Sequence, residues 1–444
     1  MQIIKLLILS FISTLPLCAS AVGLIQSFYQ GLENDLSLKQ AKTVWLQSQY
    51  DDKIALAPLL PQASIQATSS KNHIYKNTSS QYETRNYALL LKQELFNPTL
   101  IATYRKEAIE KQIQHHIYQQ QRQAFILNIA SLYFECLLSL DNLSFSQAAL
   151  KEYQFRHKQA IAQQKSGIIT HTELTRIVAE VAISEANVIK AEQNIRDSLD
   201  ALQQATGQSI SSIATMHNTT LPFQNLQPLK KWIAQAQTHN LANLIAEKQS
   251  NLAKTGYLAA KGAFLPTISG GLQAGKQRTN NTSANHINQD TRLLKLTIQA
   301  PLVTGGSRIW QLQKGYQAVS LAKTNYEKTV ADTNISIRKL YYATISGKKR
   351  IAAEKKAIEA NKEVVAMNQL RHNVGAITIG DILDSIAQLH QNQLTLAKER
   401  YSFILNALNL KLQSGSICIK DLEEIDRFFS KNHRIPTFSW HNES

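Results

Sequence analysis

A block near residue 170 of this 444-residue chain returns near residue 378, and that repeat restricts the fold to something built twice. Ser166-Gly167-Ile168-Ile169-Thr170 with Glu173-Leu174 aligns with Val374-Gly375-Ala376-Ile377-Thr378 with Asp381-Ile382, an offset of 208 residues. The same offset carries Ala205-Thr206-Gly207 onto Gln413-Ser414-Gly415. Earlier in each copy, Leu60-Pro61 answers Leu265-Pro266 at 205, and Gln93-Glu94-Leu95-Phe96 answers Gln299-Ala300-Pro301-Leu302 at 206. Solenoid repeats run to only about 20–50 residues, so each copy is a domain-sized unit.

Proline marks where helices cannot run, because it removes a backbone hydrogen bond and clashes with the preceding turn. Beyond the N-terminal segment it occurs only at 58, 61, 98, 222, 228, 266, 301 and 436. The windows 99–221 and 302–435 contain none and are rich in Gln, Ala, Lys, Glu and Leu, all strong helix formers. The pattern predicts helices at about 99–165 and 172–206 with a turn at Gly167, then at about 307–372 and 379–414 with a turn at Gly375. At ~1.5 Å rise per residue the longer member of each pair spans about 100 Å.

The apolar spacing says what these helices pack against. Ile126, Ile129, Tyr133, Cys136, Leu140 and Leu143 step by three and four. So do Leu174, Ile177, Val181, Val188, Ala191, Ile195 and Leu202 once Ser184 and Ser198 are allowed on the seam, and Ile382, Leu389, Leu396, Phe403 and Leu410 recur every seven. A sustained 3.5-residue period predicts coiled-coil packing. Cys136 then reads as a small core residue rather than a reactive thiol.

The Pro-flanked segments alternate instead. Ala63, Ile65 and Ala67 interleave with Gln62, Ser64, Gln66 and Thr68, and Leu294, Leu296 and Ile298 with Lys295, Thr297 and Gln299. Period two predicts half-exposed strands, at about 62–70, 85–96, 267–276 and 291–301. The polar stretches 69–84 and 277–290 read as long exposed tips. About ten residues is the length of a tilted strand crossing a bilayer. Four strands cannot close a barrel alone, and an open edge in lipid leaves backbone groups unsatisfied; three chains would supply twelve.

The N-terminus, with Lys5, an apolar run from Leu6 to Leu17 and Ala19-Ser20-Ala21, predicts a signal peptide over 1–21. Leu15-Pro16-Leu17 lacks the small residue that lipidation of Cys18 requires just before it. No later stretch is read as the ~20 apolar residues of a spanning helix. Two remaining cysteines are too few for a disulfide framework. The formal charge of +16 suits a basic surface near anionic lipid better than nucleic acid, which an exported chain rarely meets. The expected organisation is a first repeat at 22–220, a second at 221–415 and a tail at 416–444, which carries no reading of its own.

These features together resemble the TolC-like outer-membrane efflux and secretion channels. The carriers are Val374-Gly375-Ala376-Ile377-Thr378-Ile379-Gly380-Asp381-Ile382-Leu383-Asp384, its fainter partner from Ser166 to Leu174, and the strand exit Ala300-Pro301-Leu302-Val303-Thr304-Gly305-Gly306-Ser307-Arg308. The resemblance covers about 34–415. It implies a mainly helical fold, a homotrimer with a twelve-stranded barrel in outer-membrane lipid, and a coiled-coil tube in the periplasm closed at the turns around Gly167 and Gly375. It further implies a periplasmic adaptor and an inner-membrane transporter of RND, ABC or MFS type as partners. No cofactor, nucleic acid or enzymatic activity is implied.

Asp381 and Asp384 share a helix face. In a threefold assembly they would ring the aperture with six carboxylates, a device that favours cations; the plainer reading is that Asp381 starts the helix, where the dipole favours an acid. The resemblance also implies gate contacts at Thr172, Glu173, His372 and position 377. Where the family places a Tyr and an Arg this chain has His372 and Ile377, so one link is lost. His372 with Glu173 remains a candidate pair and a pH-responsive one, against the plainer reading of a solvated His. Gly305-Gly306 reads as a strand-to-helix turn, with Arg308 and Lys314 near the membrane boundary. His115-His116, His171 and His286 form no metal cluster in the sequence. The rival reading is a periplasmic coiled-coil adaptor or scaffold, which shares the long helices and export signal but has no use for two strand hairpins.

Overall fold

The computed structural model describes residues 22–76, 78–216, 221–223, 225–281 and 287–434. The expected signal peptide, His286 and Pro436 lie outside these residues. The chain forms two compact units, each drawing on both repeats: one from 1–36, 122–235 and 335–444, the other from 37–121 and 236–334.

The second unit holds helix α2 (Leu36–Leu56), the hairpin β1 (Gln62–Lys76) and β2 (Thr78–Phe96), the start of α3 (Pro98–Lys165), α6 (Leu241–Gly262), the hairpin β4 (Thr267–Asn281) and β5 (Ile287–Gln299), and the start of α7 (Ser307–Asn373). All four strands join one antiparallel sheet in the order β1-β2-β4-β5. They run longer than their alternation predicts. Pairing continues to Lys76↔Thr78 and to Thr279↔Ile287, so the described residues of the polar stretches expected as exposed tips are strand. Backbone pairing does not need apolar side chains, and Thr and Tyr favour the extended strand.

Register gives the sheet two unlike faces. The rows Ala63↔Leu91↔Leu272↔Leu294 and Ile65↔Leu89↔Ala274 lie on one. The rows Gln66↔Ala88↔Gly275↔Thr291 and Thr68↔Asn86↔Gln277↔Gln289 lie on the other. The apolar side is uncovered: Ile65 is 84% and Leu294 79% exposed. β1 and β5 each keep one edge without a partner strand among the described residues.

The first unit contains α1 (Leu24–Asn34), the later turns of α3, α4 (His171–Thr206), β3 (Ser212–Met216), the later turns of α7, α8 (Ile379–Gln413), α9 (Ile419–Asp426) and β6 (Phe429–Arg434). Helix α5 (Leu229–His239) begins in this unit. Its seam follows the predicted period. Ile126, Ile129, Tyr133, Cys136, Leu140 and Leu143 are all buried, as are Ser184 and Ser198. On α8 the period holds at Ile382, Phe403 and Leu410, whereas Leu389 and Leu396 are half-buried. The Cys136 thiol donates to Ser198 O at 3.0 Å, and burial pushes its pKa up to about 11, in keeping with a core role.

One 18-residue window of α3 is apolar enough to cross a membrane by length and composition, against the expectation from sequence. Half of it is buried, and Ile129, Tyr133, Leu137 and Leu143 of this helix are enclosed, so core packing accounts for its composition. Residues of the tail after 415 form α9 and β6. β6 pairs antiparallel with β3, Val22 bridges to Ile213, and the Tyr133 hydroxyl donates to Ala214 O at 2.7 Å.

Candidate gate at the helix turns

Both helical hairpins of the first unit turn by the same chemistry. After α3, Gly167 takes a φ of 71° and Ile168 N–H donates to Gln163 O at 2.9 Å. After α7, Gly375 takes 75° and Ala376 N–H donates to Arg371 O at 2.9 Å. The left-handed residue lets the chain reverse while satisfying the last carbonyls of the helix.

Three residues later a threonine opens the next helix. Thr170 Oγ1 accepts from Glu173 N–H at 3.2 Å, and Glu173 Oε2 accepts from Thr170 N–H at 2.9 Å. In the second copy Thr378 Oγ1 accepts from Asp381 N–H at 3.4 Å, and Asp381 Oδ2 accepts from Thr378 N–H at 2.9 Å. Each is a reciprocal capping box. Asp381 therefore closes the cap at the start of α8, and the Thr378 hydroxyl and N–H hold its carboxyl below the ordinary 3.8, helped by the charges of Arg176 and Arg371.

Beneath the turns Tyr153, Ala160, Ile177, Ile379, Ile382, Leu383 and Ile386 form a buried apolar cluster. The Ile377 side chain packs against it, so the position where the resembled family carries Arg makes an apolar contact here. Burial in this cluster pushes the Tyr153 hydroxyl up to about 12.

One ion pair crosses from α4 to α8. Arg176 Nη2 donates to Asp384 Oδ1 at 3.1 Å and to Oδ2 at 3.2 Å, across a sequence separation of 208. Gly380 makes room for it: a Cβ there would lie 2.6 Å from Arg176 Nη1. Both charged side chains stay largely open to water, at 52% and 66%.

Glu173 and His372 do not bond each other within the chain. The capping box engages Glu173 Oε2, while His372 Nδ1 lies 3.2 Å from Ile377 O and its Nε2 3.4 Å from Gln163 Nε2. The two residues nevertheless line one groove of about 830 Å³, with Ile168, Ile169, Ile377 and Asp381. Thr172 is exposed on the first turn of α4. Away from the turns, Gly305 and Gly306 take φ of 57° and 81° just before α7, as a strand-to-helix turn requires.

The sequence profile of the outer membrane efflux protein family matches the chain twice, at 28–208 and 232–416. The chain belongs to the outer membrane efflux protein family. Like others of this family it is an outer-membrane channel protein, and its two matched segments follow the internal duplication. Among similar proteins is outer membrane protein TolC of Escherichia coli K12, 26% identical over 392 residues, covering 85% of this chain and 79% of that one. Alkaline protease secretion protein AprF of Pseudomonas aeruginosa is 22% identical, covering 91% and 87%. The Campylobacter jejuni CmeC outer membrane channel superposes with a TM-score of 0.78 at 16% identity, covering 92% of this chain and 90% of CmeC.

Within this efflux-family chain, sequence reasoning named the turns, Asp381 and Asp384 and set Arg176 of the first turn against Asp384 of the second, but did not read a bond between them or the role of Gly380. The repeat offset was the available signal, since it sets Arg176 opposite Asp384 in the alignment of the copies.

Proposed function

We propose that three copies of the chain form a passive exit duct, which takes substrate from an inner-membrane transporter of RND, ABC or MFS type through a periplasmic adaptor. The sheet carries this reading. It has an exposed apolar face, a polar face and two free edges, so it suits lipid on one side and water on the other. Lipid allows no unpaired strand edge. Joining β5 of one copy to β1 of the next, three times, removes every edge and gives twelve strands. The repeats then divide at about 22–220 and 221–415, close to the segments the family profile matches.

The turns at Gly167 and Gly375 form the periplasmic end. There Asp381 and Asp384 border the aperture, and Thr172, Glu173 and His372 supply contacts between chains or hairpins. Asp384 is paired with Arg176, so the ring holds cations less strongly than six free carboxylates would. Two measurements test the proposal. The protein should fractionate with the outer membrane as a trimer, whereas a soluble or inner-membrane product would favour an adaptor or scaffold. Its single-channel conductance should be sensitive to multivalent cations, and Asp381→Ala with Asp384→Ala should lower that sensitivity; an unchanged block sinks the aperture assignment.

A further inference from the structure

The apolar face of the sheet changes character towards the hairpin tips. Its last mainly apolar row, Ile65↔Leu89↔Ala274, ends on Arg292 at β5. The next row is Ala67↔Tyr87↔Lys276↔Asp290, and the one beyond it Ser69↔Arg85↔Arg278↔Asn288. Lys71 follows, opposite Glu83. Rows are about 6.8 Å apart, two residues of strand, so these cations form a belt just above the apolar band.

The belt is unbalanced within the chain. Lys71, Arg85, Lys276, Arg278 and Arg292 face only Glu83 and Asp290. Glu83 bonds Arg85 at 2.8 Å and Asp290 lies 3.9 Å from Lys276, while Arg278 and Arg292 have no ion-pair partner among the described residues. Arg85 and Arg278 are directly opposed across the β2–β4 pair. Like charges directly opposite destabilise a sheet, and a shared anion removes the penalty.

Resting on the membrane placement proposed above, we propose that this belt binds the phosphate groups of a phosphorylated glycolipid in the outer leaflet. The hairpin tips lie at the strand ends opposite those that lead into α3 and α7. With the helices in the periplasm, the belt faces the outer leaflet. Guanidinium groups match phosphate with parallel N–H···O bonds, Tyr87 lies at the row where apolar surface gives way to headgroups as interfacial aromatics do, and the apolar rows beneath accept acyl chains.

The test uses the full-length detergent-solubilised protein and native mass spectrometry with diphosphorylated lipid A or its dephosphorylated form. Wild type should retain the phosphorylated lipid preferentially. Arg85→Gln with Arg278→Gln should reduce that retention by about tenfold or more, since each guanidinium's charge-assisted bonds to phosphate are lost. Arg85→Lys with Arg278→Lys should keep a large part of it, and Lys295→Gln on the polar face should change nothing. The proposal is overturned if dephosphorylated lipid binds equally, if the Gln pair retains lipid as wild type does, or if Lys295→Gln loses as much. The Gln pair should still conduct and fractionate with the outer membrane, so a failed lipid assay with intact conductance removes this inference and leaves the conduit standing. A wild type absent from the outer membrane would remove both.

Discussion

Replacing Gly380 with Ala places a Cβ 2.6 Å from Arg176 Nη1 and 3.0 Å from Cζ. The obstructing group is the far end of a flexible side chain, so the guanidinium moves and the backbone stays. Two small terms then oppose. Ala in place of Gly stabilises a helix interior by up to about 1 kcal/mol, less in a first turn. Loss of the Arg176–Asp384 pair costs about 0.2–1 kcal/mol, because both side chains are more than half exposed. The net change in local stability is within ~1 kcal/mol of zero, no more than about a fivefold change in opening. Amide hydrogen exchange over 166–180 and 372–390 reads it. Asp384→Asn alone should raise exchange modestly, and the same substitution should do almost nothing after Gly380→Ala. If Gly380→Ala raises exchange more than about tenfold, or if Asp384→Asn costs the same in both backgrounds, the steric link between Gly380 and the ion pair is wrong.

Thr170→Ala and Thr378→Ala each remove one capping box and should cost about 1 kcal/mol locally, seen as faster exchange confined to the first turns of α4 and α8. Asp381 has a depressed folded pKa, so its contribution is present above its ordinary 3.8 and is lost as pH falls through the lower folded value; exchange in the first turn of α8 should rise only below about pH 4 and not between pH 5 and 8. Maleimide labelling at pH 7.5 should modify exposed Cys418 and spare Cys136, which is buried with a thiol pKa of about 11; rapid labelling of Cys136 in folded protein would contradict the seam. Tyr133→Phe should cost about 1–2 kcal/mol through the lost bond to Ala214 O and loosen the β3–β6 pair, measured by exchange in 212–216.

The helices and their seams were readable because burial imposes a period, which survives even where Ser184 and Ser198 occupy seam positions. The hairpins were readable only where one face is apolar. Beyond Thr68 and Arg278 the sequence is mostly polar at both odd and even positions, so alternation fades while the backbone ladder continues. Within the chain Glu173 does not bond His372: Thr170 is three residues from Glu173, and a local bond of little entropic cost engages one carboxylate oxygen. The β3–β6 pair escaped notice because two short strands, Ser212–Met216 and Phe429–Arg434, meet across most of the second copy with no pattern to announce it.

Arg176 and Asp384 occupy equivalent positions of the two copies, 208 residues apart, yet they touch. If the two copies were identical, a position that touches its own equivalent would meet its twin, so Arg would face Arg and Asp would face Asp. Joining the copies in one polypeptide lifts that restriction, because each half is free to change alone. The attraction at this tip therefore depends on the two halves having diverged, and an assembly of two identical halves of either kind would carry like charges at the same spot.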